Sequence, residues 1–241
     1  MEGKSHRVGG VLVALGGYYM LKQQGYLIEG VTPLVQLAII YPFSIVGALL
    51  PDQDHHDESA PMKDVISLTF CKLLHATTKL RKRLLAMGVS PKHWWYRLLG
   101  IFDAKHRSWQ THSDLSFALI CYFLYTVMAS SGGLLTAQGI ILKLISTGLI
   151  LGLISHLVLD MLTPSGIWFL LFVGINKLIG KRVLPEKIRF VPNRKFFATG
   201  GKWEELWRWG MGVVSFLMFF YILYDMLPIQ LEFYGFQYRE V

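Results

Sequence analysis

The sequence predicts an all-α fold, a polytopic membrane bundle of about four to five spans with cytoplasmic helices lying at the interface. Three observations predict it. The 241-residue chain is 53% hydrophobic. Only 17% of it is charged, against roughly 25% in a soluble globular domain. Its apolar residues gather in five stretches, 8–21, 31–50, 115–129, 140–159 and 209–227.

The first stretch is short for a crossing and follows Lys4 and Arg7, as the core of a signal peptide would. The residues after it, Tyr18-Tyr19-Met20-Leu21-Lys22, offer no small-x-small cleavage site, so a retained helix is expected. The second, fourth and fifth stretches are long enough to cross a hydrocarbon core of ~30 Å at ~1.5 Å per residue. Between spans, Val65, Ile66, Leu68, Phe70, Leu73, Leu74, Leu80, Leu84 and Leu85 recur near helical spacing among Lys72, Lys79, Arg81, Lys82 and Arg83. That pattern predicts a basic amphipathic helix in the headgroup plane. The apolar run 167–179 is too short to cross, and a re-entrant or interfacial helix is expected there. Spans and modest loops use most of the length, which leaves a single membrane-embedded domain, 1–241.

Charge orients the bundle. If the N-terminus is cytoplasmic and all five stretches cross, segments 1–7, 51–114 and 160–208 lie inside, and they carry 21 of the 24 Lys and Arg residues. This positive-inside bias accounts for the formal charge of +8 without nucleic acid, for which no reading module is visible. The expectation is a multi-pass protein of the bacterial inner membrane with anionic lipid headgroups as partners. Trp94, Trp95, Trp203, Trp207 and Trp209 fit an aromatic belt on the same side. Cys71 and Cys121 stand apart in apolar patterns, which indicates neither a disulfide nor a thiolate metal site.

Four clusters carry the chemistry. They are His6 before the first span, Pro51-Asp52-Gln53-Asp54-His55 at the exit of the second, His106-Arg107-Ser108-Trp109-Gln110-Thr111-His112-Ser113 entering the third, and Ser155-His156-Leu157-Val158-Leu159-Asp160 closing the fourth. All fall at the cytoplasmic face on a topology derived from Lys and Arg alone. His156 and Asp160, four apart on a helix, point the same way and can share one ion. Taken singly each cluster has an ordinary reading: His6 as a surface histidine, Asp52 and Asp54 as turn residues, His112-Ser113-Asp114 as a helix N-terminus, His156 with Asp160 as a structural pair. Together, ionisable residues at the ends of several spans point to function. The candidate metal ligands are His6, Asp52, Asp54, His55, His106, His112, His156 and Asp160, more than one tetrahedral ion needs, so two or three ions are expected. Imidazole with carboxylate suits zinc, manganese or iron, zinc foremost. His56 and Asp57 flank the second cluster as possible substitutes, while His75 and His93 read as surface or headgroup contacts.

These residues resemble the YdjM-like family of membrane-bound metal-dependent hydrolases. The resemblance rests on His6, on LLPDQDH at 49–55, HRSWQTHS at 106–113 and SHLVLDMLTPSG at 155–166, and more weakly on TGGKWEE at 199–205, which brings in Glu204. Three residues separate His106-Arg107 from Thr111-His112-Ser113, where the family usually has two. The family is distantly similar to zinc phospholipase C and the single-strand nucleases of that fold, whose helical His-x3-Asp or His-x3-Glu pairs look like His156 and Asp160. The expected activity is hydrolysis of a phosphoester on a lipid or lipid-linked substrate by metal-activated water. Asp52 is the first choice and Asp54 the second for accepting the proton, and Arg107 stabilises developing charge. The competing readings are a metal-binding regulatory or scaffold protein without turnover, and a metal ion transporter, which would hold its ligands near the bilayer midplane.

Overall fold

The computed structural model of the chain describes residues 3–54, 69, 72, 75–94, 96, 99, 112–130, 136–163, 166–190 and 201–233. The described chain is mostly helical. Helix α1 is Gly3–Gln23 and α2 is Pro33–Leu49, followed by a short 3-10 turn, Pro51–Asp54. Then come α3 (Ala76–Ala86), α4 (Asp114–Ser130), α5 (Ala137–Met161), strand β1 (Ile167–Trp168), α6 (Leu170–Ile179), strand β2 (Lys187–Ile188) and α7 (Lys202–Phe233).

The helices begin and end where local chemistry allows. Pro33 opens α2, where a missing N–H costs nothing. Thr136 caps α5 by accepting the Gly139 N–H at 3.1 Å. Pro51 ends the α-helical run of α2 and starts the 3-10 turn that carries Asp52.

Helices α1 and α7 run side by side in the same sense. Ser5 meets Glu204 at one end, and Tyr19 meets Tyr221 and Lys22 meets Asp225 at the other. Helix α2 is antiparallel to α1, with the Ser44 hydroxyl donating to the Gly10 carbonyl at 2.9 Å and the Tyr18 hydroxyl donating to the Pro33 carbonyl at 3.2 Å. Helices α2 and α5 run parallel, and glycines let their backbones nearly touch. A Cβ on Gly148 would lie 2.8 Å from Phe43 Cβ, and one on Gly47 would lie 2.9 Å from Leu149 Cα. A Cβ on Gly152 would collide with the Ser44 carbonyl. Close approach through small residues is how helices associate when lipid removes the hydrophobic drive.

The surface is inverted relative to a soluble protein. Buried positions include Ser5, His6, Gln36, Ser44, His112, His156, Asp160 and Glu204, while α7 exposes Val213, Val214, Phe216, Leu217 and Phe220. Among the described residues two helices are long and apolar enough to cross a membrane, Ala137–Met161 and Lys202–Leu227; Pro33–Leu49 and Asp114–Val127 are shorter apolar helices.

Two sequence expectations need correction. The run 167–179 is not one helix, because Ile167–Trp168 pairs antiparallel with Lys187–Ile188 before α6 begins at Leu170. His75 is buried, 7% exposed, rather than a surface contact. Of the basic amphipathic segment, the part from Ala76 to Ala86 is helical as expected, with Leu84 buried and Leu80 and Leu85 exposed beside Lys79 and Lys82. Cys71 and Trp95 lie outside the residues described.

Candidate metal centre

The site is built from four helix ends that meet on one side of the bundle. Helix α1 supplies His6 from its first turns, and the turn after α2 supplies Asp52. His112 immediately precedes α4, and α5 contributes His156 and Asp160 from its last two turns.

Each side chain is placed by a local device. Gly148, Gly152, His156 and Asp160 fall four apart along α5 and form a single stripe. The two glycines bring α2 close, and one turn later His156 Nδ1 lies 2.7 Å from the Ala48 carbonyl. A carbonyl only accepts, so Nδ1 carries the proton and Nε2 presents its lone pair to the site, the arrangement that orients metal-binding histidines. Gly9 and Gly10 do the same for α1. A Cβ on Gly9 would come within 2.8 Å of Ser155 Oγ, and one on Gly10 within 2.9 Å of Ala48 Cβ. Their absence lets the first turns of α1 settle against the ends of α5 and α2 and delivers His6.

His112 is held by its backbone. Its carbonyl accepts the Trp168 N–H at 3.0 Å, and Asp114 Oδ1 accepts the Leu170 N–H at 2.7 Å. Ser113 and Ser116 cap the start of α4 reciprocally, each hydroxyl accepting the other residue's backbone N–H at 3.2 Å. The ordinary reading of His112-Ser113-Asp114 as a helix N-terminus is therefore right for the serine, while the histidine before it turns into the site. Beyond Asp160, the Thr163 hydroxyl donates to the Asp160 carbonyl at 2.8 Å and finishes α5. Gly166 then turns with φ +58°, where a side chain would meet the Ile188 carbonyl.

The resulting cluster is compact. His156 Nε2 lies 3.2 Å from Asp160 Oδ2 and 4.0 Å from Asp52 Oδ1. His112 Nε2 lies 3.4 Å from the same two oxygens. The His112 and His156 Nε2 atoms are 3.3 Å apart. On the other side, His6 Nε2 is 3.5 Å from Asp160 Oδ1 and 3.8 Å from Asp52 Oδ2. His6, His112, His156 and Asp160 are at most 2% exposed, and Asp52 is 7% exposed. Burial alone would raise the Asp52 pKa, but the facing imidazoles of His156, His112 and His6 outweigh it and hold the carboxyl well below its usual range.

Charge-assisted N–H···O bonds run ~2.7–2.9 Å, shorter than any imidazole–carboxylate separation here. Two ligand atoms sharing a tetrahedral ion at ~2.1 Å stand about 3.4 Å apart, close to what is observed. Neither ring nitrogen of His6 has a hydrogen-bond partner among the described residues. The donor set therefore fits a divalent cation better than a web of hydrogen bonds. His6, Asp52 and His156 form one group able to hold an ion, and His112, His156 and Asp160 form another.

Five sequence-predicted ligands thus converge: His6, Asp52, His112, His156 and Asp160. His55, His56, Asp57, His106, Arg107 and the side chain of Asp54 lie outside the residues described. A model of the YdjM inner membrane protein family matches residues 1–229. The chain belongs to that family. No curated protein and no solved structure shows a significant match.

In this YdjM family member, the site has two further supports, of which the resemblance brought in Glu204 without its partner. The Gly148-x3-Gly152-x3-His156-x3-Asp160 spacing was visible and would have named the packing face of α5. The second support is Glu204, 1% exposed, which accepts the Ser5 hydroxyl at 2.7 Å and ties α7 to the residue preceding His6. Nothing local pairs those two positions. An apolar cleft of about 580 Å³ between α1, α2 and α7 is lined by Val8, Val11 and Leu15. At ~100° per residue those positions lie on the face of α1 opposite His6, so the cleft is separate from the metal centre.

Proposed function

We propose that the protein is a membrane-bound metal-dependent hydrolase that cleaves a phosphoester of a lipid or lipid-linked substrate at its cytoplasmic face. The observation that carries the reading is the convergence of three imidazole Nε2 atoms on both oxygens of two buried carboxylates, Asp52 and Asp160. Divalent ions there, zinc foremost and manganese or iron as alternatives, would supply Lewis acidity and lower the pKa of a water toward ~7. His6, His112, His156 and Asp160 hold and orient the centre. Asp52, the most exposed of the five, hydrogen-bonds the water and takes its proton. Asp54 is the second candidate for that role, and Arg107 would neutralise charge developing on the phosphoryl oxygens.

The membrane setting supports a lipid substrate. Helices α1, α2, α4, α5 and α7 are taken as five crossings with the N-terminus inside, which sets the centre at the inner headgroup level. The basic helix α3, with Leu80 and Leu85 exposed and Met87 exposed just beyond it, suits the same headgroup layer. A transporter is disfavoured, because every ligand sits at a helix end.

One observation favours a second reading, a metal-binding regulatory protein without turnover: four of the five ligands are at most 2% exposed, as in a closed structural site. Incubating the purified, metal-loaded full chain with a panel of glycerophospholipids and polyprenyl phosphoesters separates the two. Release of phosphate or headgroup by the wild type, lost in Asp160→Ala, supports the hydrolase. A wild type that binds metal and cleaves nothing on the panel leaves the regulatory reading standing.

A further inference from the structure

We infer that the centre is built for two ions bridged by Asp160, with His112 and His156 on one ion and His6 alone among the histidines on the other. This rests on the metal-binding reading above. It goes beyond it by assigning each side chain to an ion.

The rings decide the assignment. His6 and His156 are stacked, with centroids 3.9 Å apart and planes inclined by 14°. An imidazole lone pair lies in its ring plane. An ion shared by both Nε2 atoms would sit on the order of 2 Å out of each plane, nearly the whole metal–nitrogen bond length of ~2.1 Å. The two lone pairs therefore lie in nearly parallel, separate planes. Separation alone would allow His6, Asp52 and His156 to share an ion, but ring orientation divides them.

The carboxylates divide in the same way. Asp160 turns Oδ1 to His6 and Oδ2 to His112 and His156. Asp52 turns Oδ2 to His6 and Oδ1 to His112 and His156. Asp160, the closer of the two, thus offers one oxygen to each side as a bridge requires, while Asp52 gives Oδ2 to the His6 side and keeps Oδ1 for a proton. The stacking distance of 3.9 Å matches the ~3.5–4 Å spacing of two-metal sites. One position draws on His112, His156 and Asp160. The other draws on His6 with the two aspartates, and keeps room for water or a substrate oxygen.

Metal analysis of the detergent-purified full chain after Mn(II) or Zn(II) loading tests this. The wild type should hold two ions per chain, and its Mn(II) form should give the many-line electron paramagnetic resonance spectrum of an exchange-coupled pair. His6→Ala should hold one ion and give the six-line spectrum of isolated Mn(II). His112→Ala, which removes a ligand from the other position, should also lose the coupled signal. A wild-type ratio of one, or an isolated Mn(II) spectrum at a ratio of two, overturns the bridged pair while leaving metal binding intact. A wild type that retains no metal overturns both. Because the wild-type spectrum is decisive alone, misfolding of a variant does not rescue the assignment.

Discussion

His156 is placed through both ring nitrogens: Nδ1 donates to the Ala48 carbonyl on α2 at 2.7 Å, and Nε2 faces Asp160 Oδ2 on its own helix at 3.2 Å. One side chain therefore fixes the register of α2 against α5 and presents a ligand to the centre. Its replacement should cost both packing and chemistry.

His156→Ala and Asp160→Ala are each expected to lower bound metal, at least tenfold in affinity, since removal of even a ligand's supporting partner costs 10–100-fold. His75→Ala, buried but outside the cluster, should keep the wild-type metal content. Elemental analysis of the three purified variants checks this, with size-exclusion profiles reporting insertion and folding. Equal metal loss in all three would assign the histidines to folding.

Asp52→Asn should reduce hydrolysis of a lipid phosphoester by ~10²-fold or more, the usual cost of a missing general base. Metal occupancy should fall less, because asparagine keeps one oxygen for the centre. Turnover and metal content are to be measured on the same preparation. Normal metal with undiminished hydrolysis would remove Asp52 from the proton-accepting role.

Two glycines on different helices make a matched test of the packing. Gly152→Ala places a methyl against the Ser44 carbonyl and the Ala48 nitrogen, and overpacking of this kind costs about 1–3 kcal/mol or more. Gly210→Ala on α7 meets nothing within 4 Å and should stabilise the helix by roughly 0.5–1 kcal/mol. Thermal unfolding in detergent should therefore move in opposite directions. A Gly152→Ala protein as stable as wild type would mean that α2 and α5 are not held in backbone contact.

Lys82→Cys and Lys195→Cys, in a background where Cys71 and Cys121 are serine, should resist an impermeant thiol reagent in intact cells and react after lysis. Gln24→Cys, in the exposed turn after α1 at the far end of the bundle, should react in intact cells. Modification at Lys82→Cys from outside would reverse the topology, and the centre would then face the periplasm. Lys195 lies outside the residues described, so Lys82 carries the structural part of the test.

Much of this protein is a local property of its chain, and those parts were legible in the sequence. Runs of apolar residues announced α2, α4, α5 and α7, because hydropathy over ~20 residues is what lipid selects. The four-residue step from His156 to Asp160 announced a shared face, because helical periodicity is independent of what packs against it. The association of His6, Asp52 and His112 with that pair was inferred from a charge-derived topology, which places helix ends on a face and says nothing of distance. Only the tertiary structure set His6 against His156, gave Ala48 its role as acceptor, tied Ser5 to Glu204, buried His75 and split the run 167–179 into β1 and α6. Those outcomes depend on the rotation and height of one helix relative to another. They are decided by close contacts summed along whole faces, such as Gly9 and Gly10 on α1 and Gly148 and Gly152 on α5, between residues remote in sequence.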